Sequence, residues 1–158
     1  MSTALAPGSK APQFSSTAVG GAYGAGKKAS LSEFKGQTVI LYFYPKDDTP
    51  GCTTQACELR DAWPQFDGKV VVFGVSIDPA ESHTKFIEKF SLPFPLLADE
   101  DKSIVKAYGV WVEKSMYGKR YMGTERTTFV IGPDQKIQAV LPKIKPAEHV
   151  KELLAMLA

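Results

Sequence analysis

The chain has two cysteines, Cys52 and Cys57, which follow the turn-forming run Pro45-Lys-Asp-Asp-Thr-Pro. Proline is tolerated at the first position of a helix, so Pro50 predicts a helix start. Thr49 then suits the N-cap, where its hydroxyl would accept a hydrogen bond from a backbone N–H two or three residues on. Cys52 would lie over unpaired N–H groups at the positive end of the helix dipole, a position that favours the thiolate. The pattern therefore predicts a nucleophilic thiol at Cys52.

The spacing of the two cysteines limits how they can react with each other. Five residues of α-helix separate two Cα atoms by about 8.7 Å, whereas a disulfide tolerates little more than ~7 Å. Cys52 and Cys57 therefore cannot bond while the helix is intact. Gly51 has poor helix propensity and helix ends fray, so unwinding the first turns costs little free energy. From the residues alone, Cys57 is either a reaction partner for Cys52 or an inert buried cysteine.

The composition is that of an ordinary globular protein. The 158 residues are 44% hydrophobic and 23% charged, which predicts one domain over residues 1–158 with a loosely ordered lead-in over residues 1–10. A net charge of +2, without a recognition motif, argues against nucleic-acid binding. No run approaches the ~18–20 apolar residues of a membrane span, and the N-terminus lacks a secretory pattern. We therefore expect a cytoplasmic protein, in which two cysteines indicate redox chemistry and not a structural disulfide.

The surrounding elements alternate between strands and helices. Residues 38–44 and 69–76 are β-branched and aromatic runs, typical of strands buried on both faces. The other predicted elements are a strand over 13–19 before a glycine-rich hairpin loop, a helical turn over 31–34, helices over 50–62, 78–90, 102–108 and 147–157, a strand over 94–98, a hairpin over 127–141, and an unpatterned segment over 110–122. This order predicts an α/β fold with a central mixed sheet flanked by helices. Cys52 then follows the carboxyl end of a central strand, where open α/β sheets place their sites.

The run from Pro45 to Cys52 resembles the Pro-x-x-x-Thr-x-x-Cys signature of peroxiredoxins. Further segments resemble the bacterioferritin comigratory protein, or peroxiredoxin Q, branch over nearly the whole chain: residues 43–46, 49–53, 59–61, 113–119 and 125–131. The resemblance implies a single thioredoxin-like domain that reduces hydrogen peroxide and organic hydroperoxides. It also implies that no metal or organic cofactor is needed, that thioredoxin or a similar dithiol is the reductant, and that the protein is a monomer.

The resemblance also implies roles for five residues. Cys52 matches the peroxidatic cysteine, which attacks the O–O bond and becomes a sulfenic acid. Thr49 matches the residue that hydrogen-bonds the peroxide, and Pro45 the residue that shields the thiolate. Arg126 matches a permanent positive charge beside the thiolate, which suits arginine because it stays charged and presents a rigid fork of donors. Cys57 matches the position of the resolving cysteine, which would close an intramolecular disulfide after local unwinding.

Two other functions are compatible with a thioredoxin-like chain that has two cysteines. A copper carrier would use two cysteines and a histidine, but such carriers typically have C-x-x-x-C, one residue shorter than the spacing here. A protein thiol–disulfide oxidoreductase would have C-x-x-C, which this sequence lacks. The cysteines and histidines together do not have the spacing of a zinc site.

Three further residues bear on these assignments. Relatives often carry Glu where this chain has Gln55. His83 lies among charged residues at a helix start, which predicts a solvated side chain. His149 lies on the last predicted helix, with no catalytic role assigned to it.

Overall fold

The computed structural model of the chain describes residues 5–157, and side chains through residue 156. Nine strands are present in this part: β1 Ser15–Val19, β2 Lys27–Ser30, β3 Val39–Phe43, β4 Val71–Ser76, β5 Leu96–Ala98, β6 Trp111–Met116, β7 Lys119–Thr124, β8 Thr127–Ile131 and β9 Ile137–Pro142. The α-helices are α1 Pro50–Asp61, α2 Ala80–Phe90, α3 Ser103–Ala107 and α4 His149–Leu157. Short 3-10 turns cover Gly21–Tyr23, Leu31–Phe34, Trp63–Gln65 and Pro146–Glu148.

Seven of the strands form one mixed sheet in the order β2-β1-β5-β4-β3-β8-β9. β3 is parallel to β4, and β4 is parallel to β5, whereas β8 is antiparallel to β3. Every residue of β3 and of β8 is buried, as expected for central strands that helices cover on both faces. The predicted α/β architecture with a central mixed sheet is confirmed.

The alternation of side chains along β3 divides the core into two layers, because successive residues of a strand point to opposite faces. Leu41 and Phe43 pack in the layer that contains Ile104 of α3. Ile40 and Tyr42 pack in the other layer, which holds residues of the remaining helices: Cys52, Ala56 and Leu59 of α1, Phe86 of α2 and Leu153 of α4. The helix that carries both cysteines is therefore packed directly on the centre of the sheet.

Pro64 is expected to kink or end a helix that begins at Pro50, and α1 ends just before it. The helix ends at Asp61, and Pro64 lies in the 3-10 turn Trp63–Gln65, because its ring prevents the helix from continuing. The Trp63 ring packs against Phe94, with 5.6 Å between the ring centroids. The active-site helix thus has a defined end that is anchored in the core.

The segment over residues 110–122 contains a β-hairpin that the sequence pattern did not predict. β6 and β7 pair antiparallel through a two-residue loop, Tyr117-Gly118, with φ of 52° and 78°. Positive φ at both loop positions is the type I′ geometry that suits the twist of a two-stranded hairpin. Tyr117 is an unusual residue at such a position, so the sequence lacks the Asn-Gly or Asp-Gly signal that predicts this turn.

The N-terminal segment is more ordered than the predicted lead-in over residues 1–10. The backbone N–H of Gly8 donates to the Ile137 carbonyl, and the N–H of Ile137 donates to the Ser9 carbonyl, both at 2.8 Å. Residues 1–4 of that prediction lie outside the described residues. Within residues 5–157, no helix is both long enough and apolar enough to cross a membrane.

Candidate active site

Cys52 lies where the central strand β3 gives way to helix α1. The loop over residues 44–49 joins the two elements, and Cys52 is the third residue of the helix, with Pro50 at its first position. The Cys52 side chain packs in the helical layer of the core, and the residue is only 2% exposed. Both cysteines are unbonded. A thiol is therefore held at a helix N-terminus and shielded from bulk water, as predicted from the sequence.

Arg126 reaches this thiol from the neighbouring strand. It directly precedes β8, whose first residue, Thr127, pairs with Phe43 at the end of β3. Its Nη2 lies 3.4 Å from the Cys52 Sγ and its Nη1 donates to Gln55 Oε1 at 2.6 Å. The fork of the guanidinium thus bridges the thiol and an amide one helical turn further along α1, a geometry that a single ammonium could not reproduce.

Gln55 is completely buried. Its Oε1 accepts from Arg126, while its Nε2 has no hydrogen-bond partner among the described residues. An amide can orient the guanidinium without neutralising its charge, whereas a carboxylate would offset that charge. The contact with Gln55 therefore leaves the positive charge of Arg126 beside Cys52 without an opposing carboxylate.

Thr49 is the N-cap residue of α1, as predicted, but its hydroxyl does not cap the helix. The hydroxyl instead donates to the Lys46 carbonyl at 2.9 Å. The predicted capping bond is wrong because the loop turns tightly here, with Asp48 at a φ of 56°, and the turn brings the Lys46 carbonyl within reach. Donation to that carbonyl leaves the lone pairs of the Thr49 oxygen unused by the helix.

Cys57 lies on the same unbroken helix and is half-buried. The five-residue spacing again corresponds to about 8.7 Å between Cα atoms, beyond the ~7 Å that a disulfide can span. The two cysteines are therefore brought onto one helix but not into bonding distance. Pro45 lies half-buried at the start of the loop, and its shielding role stays a prediction.

Both histidines are buried, and the prediction of a solvated His83 is wrong. His83 faces the sheet with Phe86, and its ring nitrogens contact Asp47 and the Leu97 carbonyl. His149 Nε2 lies 2.8 Å from Thr128 Oγ1. Burial, with a further contribution from the nearby Arg126 charge, lowers the pKa of His149 to about 3.

An open groove of about 700 Å³ reaches Arg126 from the side of the β6–β7 hairpin. Its lining combines apolar and basic side chains, including Val112, Tyr121, Ile144, Lys114 and Lys143. The Lys114 ammonium donates to the Thr124 carbonyl. Burial, together with the Arg126 charge, lowers the pKa of Lys114. The groove, whose lining also includes the carboxylates of Glu113 and Glu125, gives a small molecule an open approach to the guanidinium.

No group of three or more His, Cys, Asp or Glu side chains within residues 5–157 is arranged to hold a metal ion. The arrangement that the structure does provide is a shielded thiol with a fixed cation beside it. Such a site is suited to attack by a thiolate on a bond whose leaving oxygen takes up negative charge.

The chain belongs to the AhpC/TSA family, whose model matches residues 7–140. It is similar to peroxiredoxin Bcp of Bacillus subtilis, with 46% identity over 133 residues that cover 84% of this chain and 85% of the relative. Among solved structures, Xylella fastidiosa PrxQ has a TM-score of 0.87 at 33% identity and covers 99% of this chain and 97% of its own. Xanthomonas campestris peroxiredoxin Q has a TM-score of 0.84 at 34% identity, with 98% and 95% covered. The protein is thus a thiol peroxidase of the Bcp, or peroxiredoxin Q, branch, and its thioredoxin-like fold is confirmed.

Proposed function

We propose that this peroxidase reduces hydrogen peroxide and organic hydroperoxides through Cys52, with Cys57 as the resolving cysteine and thioredoxin or a similar dithiol protein as the reductant. The observation that carries the proposal is the contact between the Arg126 guanidinium and the Cys52 sulfur, 3.4 Å apart at the start of α1.

In the first step the Cys52 thiolate attacks one oxygen of the hydroperoxide. An S–O bond forms, the O–O bond breaks, and the sulfur loses two electrons to become a sulfenic acid. The other oxygen leaves as an alkoxide or hydroxide and takes up a proton to become alcohol or water. Arg126 stabilises the negative charge that develops on the oxygens. The Thr49 hydroxyl donates to the Lys46 carbonyl, so its oxygen accepts a hydrogen bond from the O–H of the bound hydroperoxide. Fixed donors aimed at a developing oxyanion lower the barrier by a few kcal/mol each, about 2.7–4 in a measured case.

In the second step Cys57 resolves the sulfenic acid. The Cys57 sulfur attacks the Cys52 sulfur, an S–S bond forms, and the hydroxyl of the sulfenic acid leaves as water with the thiol proton. The first turns of α1 must unwind for this, because the intact helix holds the two Cα atoms too far apart. The half-buried position of Cys57 supports this role, because part of its side chain is already accessible on the intact helix.

In the third step a dithiol reductant exchanges with the disulfide and restores both thiols, after which α1 refolds. Cys52 and Cys57 lie on one helix of one chain, so the proposed disulfide needs no second subunit, and we propose a monomer as the functional unit.

The test compares two cysteine variants. Cys52→Ser should show no peroxide turnover. Cys57→Ser should consume about one equivalent of peroxide and then stall with a sulfenic acid at Cys52, whereas the unmodified protein should accumulate a 52–57 disulfide by mass spectrometry. Full turnover by Cys52→Ser, or sustained thioredoxin-linked turnover by Cys57→Ser, would contradict the assignment.

A further inference from the structure

The loop between β3 and α1 is attached to helix α2 by a buried polar cluster that the peroxidase chemistry does not use. The cluster consists of Tyr44 and Asp47 of the loop and Ser82 and His83 of α2, and we call it the loop clamp. The Asp47 side chain is 3% exposed and that of His83 is 0% exposed. A carboxylate and an imidazole at this depth need a full set of partners.

The carboxylate of Asp47 takes part in three hydrogen bonds. The Tyr44 hydroxyl donates to it at 2.6 Å and the Ser82 hydroxyl at 2.8 Å, and His83 Nδ1 lies 2.7 Å from it. Burial raises the pKa of Tyr44 well above its usual value, and the Asp47 charge adds to the effect, so the phenol keeps the proton that it donates. The side chains of Tyr44, Ser82 and His83 thus all contact one carboxylate.

The hydrogen bonds of His83 involve both of its ring nitrogens. Nε2 lies 2.9 Å from the Leu97 carbonyl, and a carbonyl can only accept, so Nε2 carries a proton. Nδ1 lies 2.7 Å from Asp47 Oδ2, so one proton is shared between the two atoms. Asp47 and His83 therefore form a buried, fully hydrogen-bonded pair, which is an ion pair when that proton lies on Nδ1.

The loop clamp acts on the segment that leads into the active site. Asp47 lies two residues before Thr49 and three before the start of α1. Its backbone N–H donates to Asp78 Oδ2 at 2.8 Å, so the backbone of the loop is fixed in addition to its side chain. The next residue, Asp48, has a φ of 56°, and its exposed ion pair with Lys89 of α2 adds little to the hold on the loop. The strained loop conformation is thus held from α2, and the loop in turn places Thr49 and the first turn of α1.

We propose that the Asp47–His83 pair is a positioning device that holds the β3–α1 loop in the peroxide-reactive conformation and sets the balance between folded and unwound α1. The inference rests on the proposed function, because it needs α1 to unwind between peroxide attack and disulfide closure. Asp47 and His83 act through Thr49 and the helix start and touch no reacting atom.

The test measures the two steps separately, by rapid quenching and mass spectrometry, in Asp47→Asn and His83→Gln. Oxidation of Cys52 should slow by about tenfold to a hundredfold, as expected when reacting groups are displaced by up to ~1 Å. Closure of the 52–57 disulfide should become several-fold faster, because the unwound state is more populated. In the Asp47→Asn/His83→Gln double variant the two effects should combine to less than their product, since both changes remove the same pair.

Controls separate this role from simple loss of stability. Lys89→Gln removes only the exposed ion pair on the same loop and helix, and both rates should stay as in the unmodified protein. Ser82→Ala removes one donor from Asp47 but keeps the Asp47–His83 pair. Oxidation of Cys52 should then slow, and disulfide closure should become faster, by smaller factors. This variant serves if Asp47→Asn or His83→Gln folds poorly. In the unmodified protein, nitrogen-15 NMR should find Nε2 of His83 protonated at neutral pH.

Three results would overturn the inference: an unprotonated Nε2 on the His83 ring, unchanged rates in folded variants, or a parallel fall of both rates that follows the loss of Tm. Failure of the proposed function is a different result, since the unmodified protein would then form no 52–57 disulfide at all.

Discussion

Nη2 of Arg126 lies 3.4 Å from the sulfur of Cys52, although the two residues are 74 positions apart in the sequence. The contact depends on the antiparallel pairing of β8 with β3, which sets the residue before β8 beside the loop after β3. The pairing of the two central strands therefore holds the Arg126 guanidinium beside the thiol of Cys52.

Replacing Arg126 tests this charge. Arg126→Met should slow oxidation of Cys52 by peroxide roughly a hundredfold or more, as for loss of an oxyanion donor, and Arg126→Lys should lose less because the charge remains. Pre-steady-state oxidation rates measure both. Arg120→Met is the matched control, because Arg120 is exposed on β7 and, among residues 5–157, forms an ion pair with Glu113 alone, at 3.6 Å. Equal rates for the Arg126 and Arg120 variants would contradict the assigned role.

Thr49→Val separates catalysis from helix capping. The Thr49 hydroxyl makes no capping bond and donates only to the Lys46 carbonyl, so its loss should cost about 1 kcal/mol of unfolding free energy or less. The rate of Cys52 oxidation should fall at least about tenfold, since the hydroxyl oxygen that accepts from the bound peroxide and orients it is removed. Denaturant unfolding and oxidation kinetics on the same samples give both numbers, and Thr49→Ser should restore most of the rate. A large loss of unfolding free energy with an unchanged rate of Cys52 oxidation would mean that Thr49 stabilises the fold and does not act on the peroxide.

Gly51→Ala tests the unwinding step. Alanine strengthens the helix by about 0.5–1 kcal/mol relative to glycine, which should slow disulfide closure by about twofold to fivefold. The added Cβ would lie 3.2 Å from Arg126 Nη2 and 3.5 Å from Pro146 Cγ, so a slight shift of the guanidinium should also reduce the oxidation rate modestly. Quantifying sulfenic acid and disulfide over time distinguishes the two steps. Closure as fast as in the unmodified protein would mean that unwinding of this turn does not limit it.

His149 should make the stability of the protein fall as the solution is acidified. Its pKa is lowered from 6.5 to about 3, so the unfolded chain binds a proton that the native state does not, and stability is lost as the pH falls from 6.5 towards 3. This group should remove about 2 kcal/mol between pH 7 and pH 5. Position 149 cannot titrate in His149→Gln, so its free energy of unfolding, measured with urea, should fall by about 2 kcal/mol less between pH 7 and pH 5 than that of the unmodified protein. An equal fall in both proteins would refute the prediction.

The sequence predicted the parts of the site that are local. Pro50 and Cys52 lie on one continuous strand–loop–helix segment, so caps, propensities and spacing were enough to place them. Arg126 could be assigned only through a resemblance, because its approach to Cys52 depends on strand pairing between distant segments. Gln55 was recognised as a departure from relatives, but its contact with Arg126 required the folded chain.

His83 was misplaced for a specific physical reason. Its neighbours Glu81 and Lys85 are charged and exposed, and they suggested a solvated position. His83 instead shares the buried face of α2 with Phe86, three residues on, and this helical spacing was the signal that could have revealed it. The carboxylate that hydrogen-bonds the buried His83 ring belongs to Asp47, in the loop between β3 and α1. No pattern within α2 contains that information.

The packing of Trp63 has a practical consequence. The indole lies two residues beyond the end of α1 and rests against Phe94 in the core. Its emission therefore responds to the packing of the same helix that is proposed to open and close in each cycle. Only one other tryptophan is present, Trp111 on the β6–β7 hairpin, and Trp111→Phe would leave Trp63 as the single tryptophan. Trp63 fluorescence should therefore follow the proposed opening and closing of α1 during turnover, without an added label.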